Sequence, residues 1–108
     1  MPTTPLDVQL LYFRDCPNWQ ATLEDLRAVL ADASQTSAVH LIEVRSNRQA
    51  QQLRFTGSPT VRVNGRDVEP GGAPEQYNLE CRLYWVGGRA AGRPPREWLA
   101  EAIRLAQG

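Results

Sequence analysis

The chain has 108 residues, 42% of them apolar, with twelve basic and twelve acidic side chains. That length fits a single domain, residues 1–108, with a real core, and the charge balance offers no electrostatic foothold for nucleic acid or an anionic membrane. All twelve basic residues are arginines scattered along the chain, and two cysteines are too few for a disulfide framework or a tetrathiolate zinc site.

Met1 to Asp7 lacks the basic stretch and apolar segment of a secretory leader, and no apolar run nears the roughly 20 residues of a membrane span. A cytoplasmic, reducing setting is expected, where cysteines serve as reactive groups or metal ligands more than as staples. Val8, Leu10, Leu11, Tyr12 and Phe13 make a nearly continuous apolar run, which predicts a strand buried on both faces and central in a parallel or mixed sheet. Pro17 fits the first turn of a helix in which Leu23, Leu26, Val29, Leu30 and Ala33 recur at helical spacing as far as Ser34. Val39, Leu41, Ile42 and Val44 form a second strand, and strand–helix–strand predicts a parallel pair with a right-handed crossover.

A short helix over Asn47 to Phe55 follows and is broken by Gly57-Ser58-Pro59. Thr60 to Val63 reads as a strand entering a tight turn at Asn64-Gly65, with Arg66 to Glu69 as an antiparallel return. Pro70 to Asn78 reads as a loop, and Cys81 to Val86 as another strand, ended by Gly87-Gly88. After a loop containing Gly92, Pro94-Pro95 leads into a last helix that buries Trp98, Leu99, Ala102, Ile103 and Leu105. His40, alone on its strand, reads as an exposed or edge residue rather than a catalytic base.

Cys16 stands where the first strand gives way to a helix. The unpaired N–H groups and positive dipole end found there favour a thiolate, and such sites lower a cysteine from its free pKa of about 8.5. Asp15 opposes that effect, and Arg14 or Arg54 offsets Asp15. Three residues on, where a redox pair would carry its second sulfur, stands Trp19, so Cys16 works alone or with the distant Cys81. The plainer alternative is a structural cysteine at either position. Trp19 either shields the thiol or binds an apolar ligand, or, as the favoured reading, simply packs on a neighbouring loop. Tyr77 and Glu80 flank the loop before Cys81, which either covers Cys16 or, as the plainer and favoured reading, is a solvated loop.

The order strand, cysteine, helix, strand, helix, Ser-Pro-Thr, hairpin, helix resembles the thioredoxin-like fold over almost the whole chain. Its marks are Cys16-Pro17 after the first strand and Gly57-Ser58-Pro59-Thr60-Val61 before the third. More closely, Asp15 to Trp19, Arg54 to Thr60 and Glu80 to Tyr84 resemble small bacterial thioredoxin-like proteins of unassigned function, some labelled as related to alkylmercury lyase. The resemblance implies an α/β fold: a central mixed sheet of four or five strands flanked by three helices, with a cis Ser58–Pro59 bond facing Cys16. It also implies thiol–disulfide redox chemistry without a cofactor or metal. In that reading Cys16 is the nucleophile, Cys81 the candidate partner, and Ser58, Pro59 and Trp19 border the substrate groove.

The chain departs from the dithiol members, which carry Cys-x-x-Cys, by having Cys16-Pro17-Asn18-Trp19. Either Cys16 acts as a monothiol resolved from outside, or Cys81 replaces the missing sulfur. If Arg66 to Glu69 returns antiparallel, Cys81 comes back towards Cys16; if Cys81 starts a strand paired directly with Thr60 to Val63, it lies at the opposite end of the sheet. A disulfide needs Cα atoms about 4.4–6.8 Å apart, so this geometry decides. The implied partner is a thiol or disulfide, on a protein or a small molecule. Two alternatives remain open, a soft-metal or organomercurial binder using both thiols and a non-catalytic thioredoxin-like binding module. The chain is expected as a monomer, or as a homodimer through an uncovered edge at the Trp85 strand.

Overall fold

The computed structural model describes residues 5–108, so most of the stretch read for a leader, Met1 to Asp7, lies outside the described residues. The elements run β1 (Val8–Tyr12), α1 (Trp19–Asp32), β2 (Val39–Glu43), α2 (Asn47–Leu53), β3 (Thr60–Val63), β4 (Arg66–Asp67), β5 (Tyr84–Val86), β6 (Arg89–Ala91) and α3 (Arg96–Gln107). A four-stranded mixed sheet has the order β2-β1-β3-β4, and β5 and β6 form a separate two-stranded sheet. β1 pairs parallel with β2 from Val8↔Val39 to Tyr12↔Glu43, and antiparallel with β3 from Val8↔Val63 to Leu11↔Thr60.

The hydropathy of β1 explains its central place. Val8 and Leu10 pack against Leu23, Leu26, Val29 and Leu30 of α1 and Leu99 and Ile103 of α3, all buried on one face of the sheet. Leu11 turns to the other face, where Val44, Ala50 and Phe55 form a second buried cluster around α2. Val8, Leu10 and Leu11 are fully buried and only Gln9 and Tyr12 are partly exposed, as the nearly continuous apolar run predicts. β2 is an edge strand, with Leu41 43% exposed and His40 on the surface.

Several boundaries differ from the sequence reading. α1 starts at Trp19 rather than at Pro17, because Pro17 and Asn18 form a turn ahead of it. α2 stops at Leu53, since Arg54 takes a left-handed conformation (φ 54°), and the Phe55 N–H then returns to the Ala50 carbonyl. Ser46 caps the start of α2, its hydroxyl accepting from the Gln49 N–H. The segment expected as a strand from Cys81 is regular only over Tyr84–Val86, and the loop expected after Gly87-Gly88 holds β6, which pairs with β5 across that turn. On α3, Leu105 lies outside (63% exposed), off the stripe of Leu99, Ala102, Ile103 and Ala106. Among the described residues no helix is long and apolar enough to cross a membrane.

Candidate functional site

Strand direction brings three segments to one end of the main sheet. β1 runs towards Cys16, and because β3 is antiparallel to it (Leu11↔Thr60), the start of β3 and the preceding Ser58-Pro59 lie at that same end. The Ser58–Pro59 peptide is cis. At Asn64-Gly65 the chain turns with positive φ at both residues (52° and 80°), and β4 returns antiparallel to β3. Of the two routes open in the sequence, the chain therefore takes the returning one.

The segment from Tyr77 to Cys81 is held by hydrogen bonds, with Glu80 exposed as expected and Tyr77 partly buried. Gln51 donates to the Tyr77 carbonyl, the Asn78 N–H donates to Phe55, and the Leu79 N–H donates to the Asn47 side chain. It then runs parallel to the Ser58 backbone in a one-residue bridge, Ser58↔Cys81. The Ser58 N–H donates to the Glu80 carbonyl (2.8 Å), and the Arg82 N–H donates to the Ser58 carbonyl (2.9 Å). Both backbone groups of Ser58 are thus taken by the chain's own segment.

This places the second sulfur at the end of the sheet that holds the first. Neither cysteine is in a disulfide; Cys16 is buried, 5% exposed, and Cys81 is exposed. The N–H of Asn18, in the turn that enters α1, donates to the Cys16 sulfur at 3.4 Å. Desolvation first, then the neighbouring Cys16 and then the Glu80 carboxylate, push the Cys81 thiol up from its ordinary value. Cys81 is therefore held protonated to a higher pH than a free cysteine.

Behind Cys81 lies a buried polar cluster that sequence reasoning did not single out. The Arg82 guanidinium, its side chain 1% exposed, makes a forked pair with Asp67 (2.7 and 3.0 Å) and reaches Glu69 at 3.3 Å. It also donates to the Thr56 and Thr60 hydroxyls and lies 4.3 Å from the centre of the Tyr84 ring. Tyr84 is fully buried and its hydroxyl donates to the Pro59 carbonyl. Burial, against the opposing charge of Arg82, pushes that phenol far above its ordinary value, so it stays a donor. One side chain thereby ties the residue after Cys81 to the Pro59 loop and to β4. The only sequence signal was Arg82 beside Asp67 and Glu69 as opposite charges, and spacing alone did not pair them.

The remaining site candidates are placed as follows. Ser58 and Pro59 are buried, and the Ser58 hydroxyl has no partner. Trp19 is half-buried, packs against the larger core cluster and stacks on Tyr12 with ring centroids 4.1 Å apart. Arg14, Asp15 and Arg54 are on the surface. A groove of about 870 Å³ lies between β4, the loop over 69–73 and α3, lined in part by Val68, Trp98, Ala102 and Leu105, and contains neither sulfur. No group of three or more His, Cys, Asp or Glu side chains is arranged to hold a metal ion among the described residues.

No protein-family model matches the chain, and no curated protein or solved structure matches it.

Proposed function

We propose that this is a thiol–disulfide redox protein of thioredoxin-like architecture, in which Cys16 and Cys81 form a reversible pair. The observation that carries the reading is the Ser58↔Cys81 bridge, which brings a sulfur 65 positions along the chain to the end of the sheet where β1 delivers Cys16. The element order and the positions of Cys16 after β1 and Pro59 before β3 support the architecture. The Asn18 N–H is turned towards the Cys16 sulfur at 3.4 Å, so the turn entering α1 faces that thiol. The setting that goes with this reading is reducing and cytoplasmic, and the partner is an external thiol or disulfide.

The reading is tested by mild oxidation of the purified protein with diamide, followed by intact mass and peptide mapping. The expected product is a monomer that has lost two hydrogens, with Cys16 and Cys81 in one cross-linked peptide, and it reverts with dithiothreitol. A monomer that keeps both thiols, or only intermolecular dimers, would sink the dithiol reading and leave a monothiol or a binding module.

The same arrangement favours a second reading, a two-thiolate site for a soft metal ion, because both sulfurs come to one end of the sheet and two thiolates suffice for linear coordination of such an ion. Titration with mercuric ion separates the two. One tightly held ion per chain, lost in Cys16→Ser and in Cys81→Ser alike, supports the metal reading. Retention by either single variant removes it.

A further inference from the structure

The dithiol reading leaves open which sulfur meets the outside. Thiol–disulfide exchange depends on access as much as on the thiolate fraction, since the attacking group must reach the sulfur under attack. Cys16 is 5% exposed, whereas Cys81 is on the surface. Burial is only part of the obstacle. Residues 80–82 also occupy the backbone edge at Ser58, taking both its N–H and its carbonyl. The chain thus lays the exposed Cys81 on the outer side of the Ser58 edge, at the end of the sheet where Cys16 is buried.

We propose that Cys81, and not Cys16, is the sulfur through which this site exchanges with external disulfides and thiols, with Cys16 closing the internal disulfide from behind. This rests on the dithiol reading above.

The steps balance in both directions. In the reduced protein the Cys81 thiolate attacks an external disulfide; its S–S bond breaks, one external thiolate leaves with the electron pair, and a mixed disulfide forms on Cys81. Cys16, having lost its proton to solvent, attacks the Cys81 sulfur and expels the second external thiolate. The protein is oxidised by two electrons and the external disulfide is reduced to two thiols. In reverse, an external thiolate attacks the Cys81 sulfur and Cys16 leaves as the thiolate, taking a proton from solvent; a second external thiolate then attacks the external sulfur of the mixed disulfide, Cys81 leaves as the thiolate, and one external disulfide is formed as the protein is reduced by two electrons. Thiols of higher pKa are less often ionised but are stronger nucleophiles when they are, so the upward push on Cys81 weakens this role without removing it.

The test uses oxidised glutathione as the external disulfide and follows intact mass over time in reduced Cys16→Ser and Cys81→Ser, with circular dichroism confirming that both fold. Cys16→Ser is expected to accumulate one glutathione on Cys81, and Cys81→Ser to react at least about tenfold more slowly, as access to the sulfur dictates. Equal rates, or faster uptake by Cys81→Ser, overturn the assignment. Limiting iodoacetamide on the reduced wild type gives a second measure that needs no variant: alkylation is expected first at Cys81, and alkylation first at Cys16 overturns it. Failure of the wild type to form an internal disulfide counts against the dithiol reading instead, because the order of reactivity is read separately.

Discussion

Replacing Arg82 by leucine is expected to destabilise the fold by about 3–5 kcal/mol, the usual loss when one partner of a buried ion pair is removed. The guanidinium is 1% exposed and Asp67 8% exposed, so its removal leaves a carboxylate out of water beside that of Glu69 with no cation between them. The Thr56 and Thr60 hydroxyls lose a donor as well. Lysine at this position keeps the charge but not the fork that spans Asp67, so Arg82→Lys is expected to recover only part of the loss. Arg82→Leu combined with Asp67→Leu removes both members and is expected to regain most of it, since ion pairs replaced together by apolar groups are often neutral. Urea unfolding of the reduced proteins reads all three variants. A single Arg82→Leu within about 1 kcal/mol of wild type, the range of exposed pairs, would show that the cluster is solvated and holds little.

The consequence for the thiols follows from connectivity. Arg82 is the residue after Cys81, and its N–H is one of the two hydrogen bonds that pin the segment to Ser58. Freeing its side chain loosens Cys81 from the end of the sheet. The Cys16–Cys81 disulfide should then form less readily in a variant that is still folded, a change that a role in bulk stability alone would not produce.

How much of this could be read from sequence depended on whether hydropathy and burial agreed locally. They agree in β1, α1 and α3, where long apolar patterns face a core, and those elements fell where expected apart from their ends. They disagree after Cys81. Alternation over Cys81-Arg82-Leu83-Tyr84-Trp85 puts the apolar Leu83 and Trp85 on one face and Arg82 on the other, and ordinary burial preferences turn Leu83 and Trp85 inwards. The observed arrangement is the reverse: Arg82 and Tyr84 are inside, and Leu83 and Trp85 are 60% and 66% exposed. Carboxylates brought by β4 and the hydroxyls of Thr56 and Thr60 make the interior at that point polar, and no single-strand pattern carries that information. The placement of Cys81 was legible only as two alternatives for the same reason, because it turns on whether a two-residue strand, Arg66–Asp67, pairs back on β3.

Gly57→Ala is expected to disturb the site as strongly as any change in the core, and for two separable reasons. Gly57 has φ +115°, a conformation that an alanine adopts only with strain of about 1–3 kcal/mol. A Cβ built there would also lie 2.8 Å from the Cβ and 3.0 Å from the Cα of Arg82, and since the backbone atom cannot swing aside, overpacking adds about 1–3 kcal/mol more. Gly65→Ala isolates the first term: its φ is +80° and a Cβ there meets nothing within 4 Å, so that variant carries strain alone. The excess of Gly57→Ala over Gly65→Ala, read from urea midpoints, is an upper bound on the cost of the close approach of residues 57 and 82, because φ +115° is also the more strained backbone for alanine. The clash is relieved most directly by moving the segment over 80–82 away from Ser58, which carries Cys81 with it. Gly57→Ala should therefore slow formation of the Cys16–Cys81 disulfide in protein that remains folded, and Gly65→Ala should not. If both variants oxidise at the wild-type rate, contact between the segment and the Pro59 loop is not what holds the second sulfur in place.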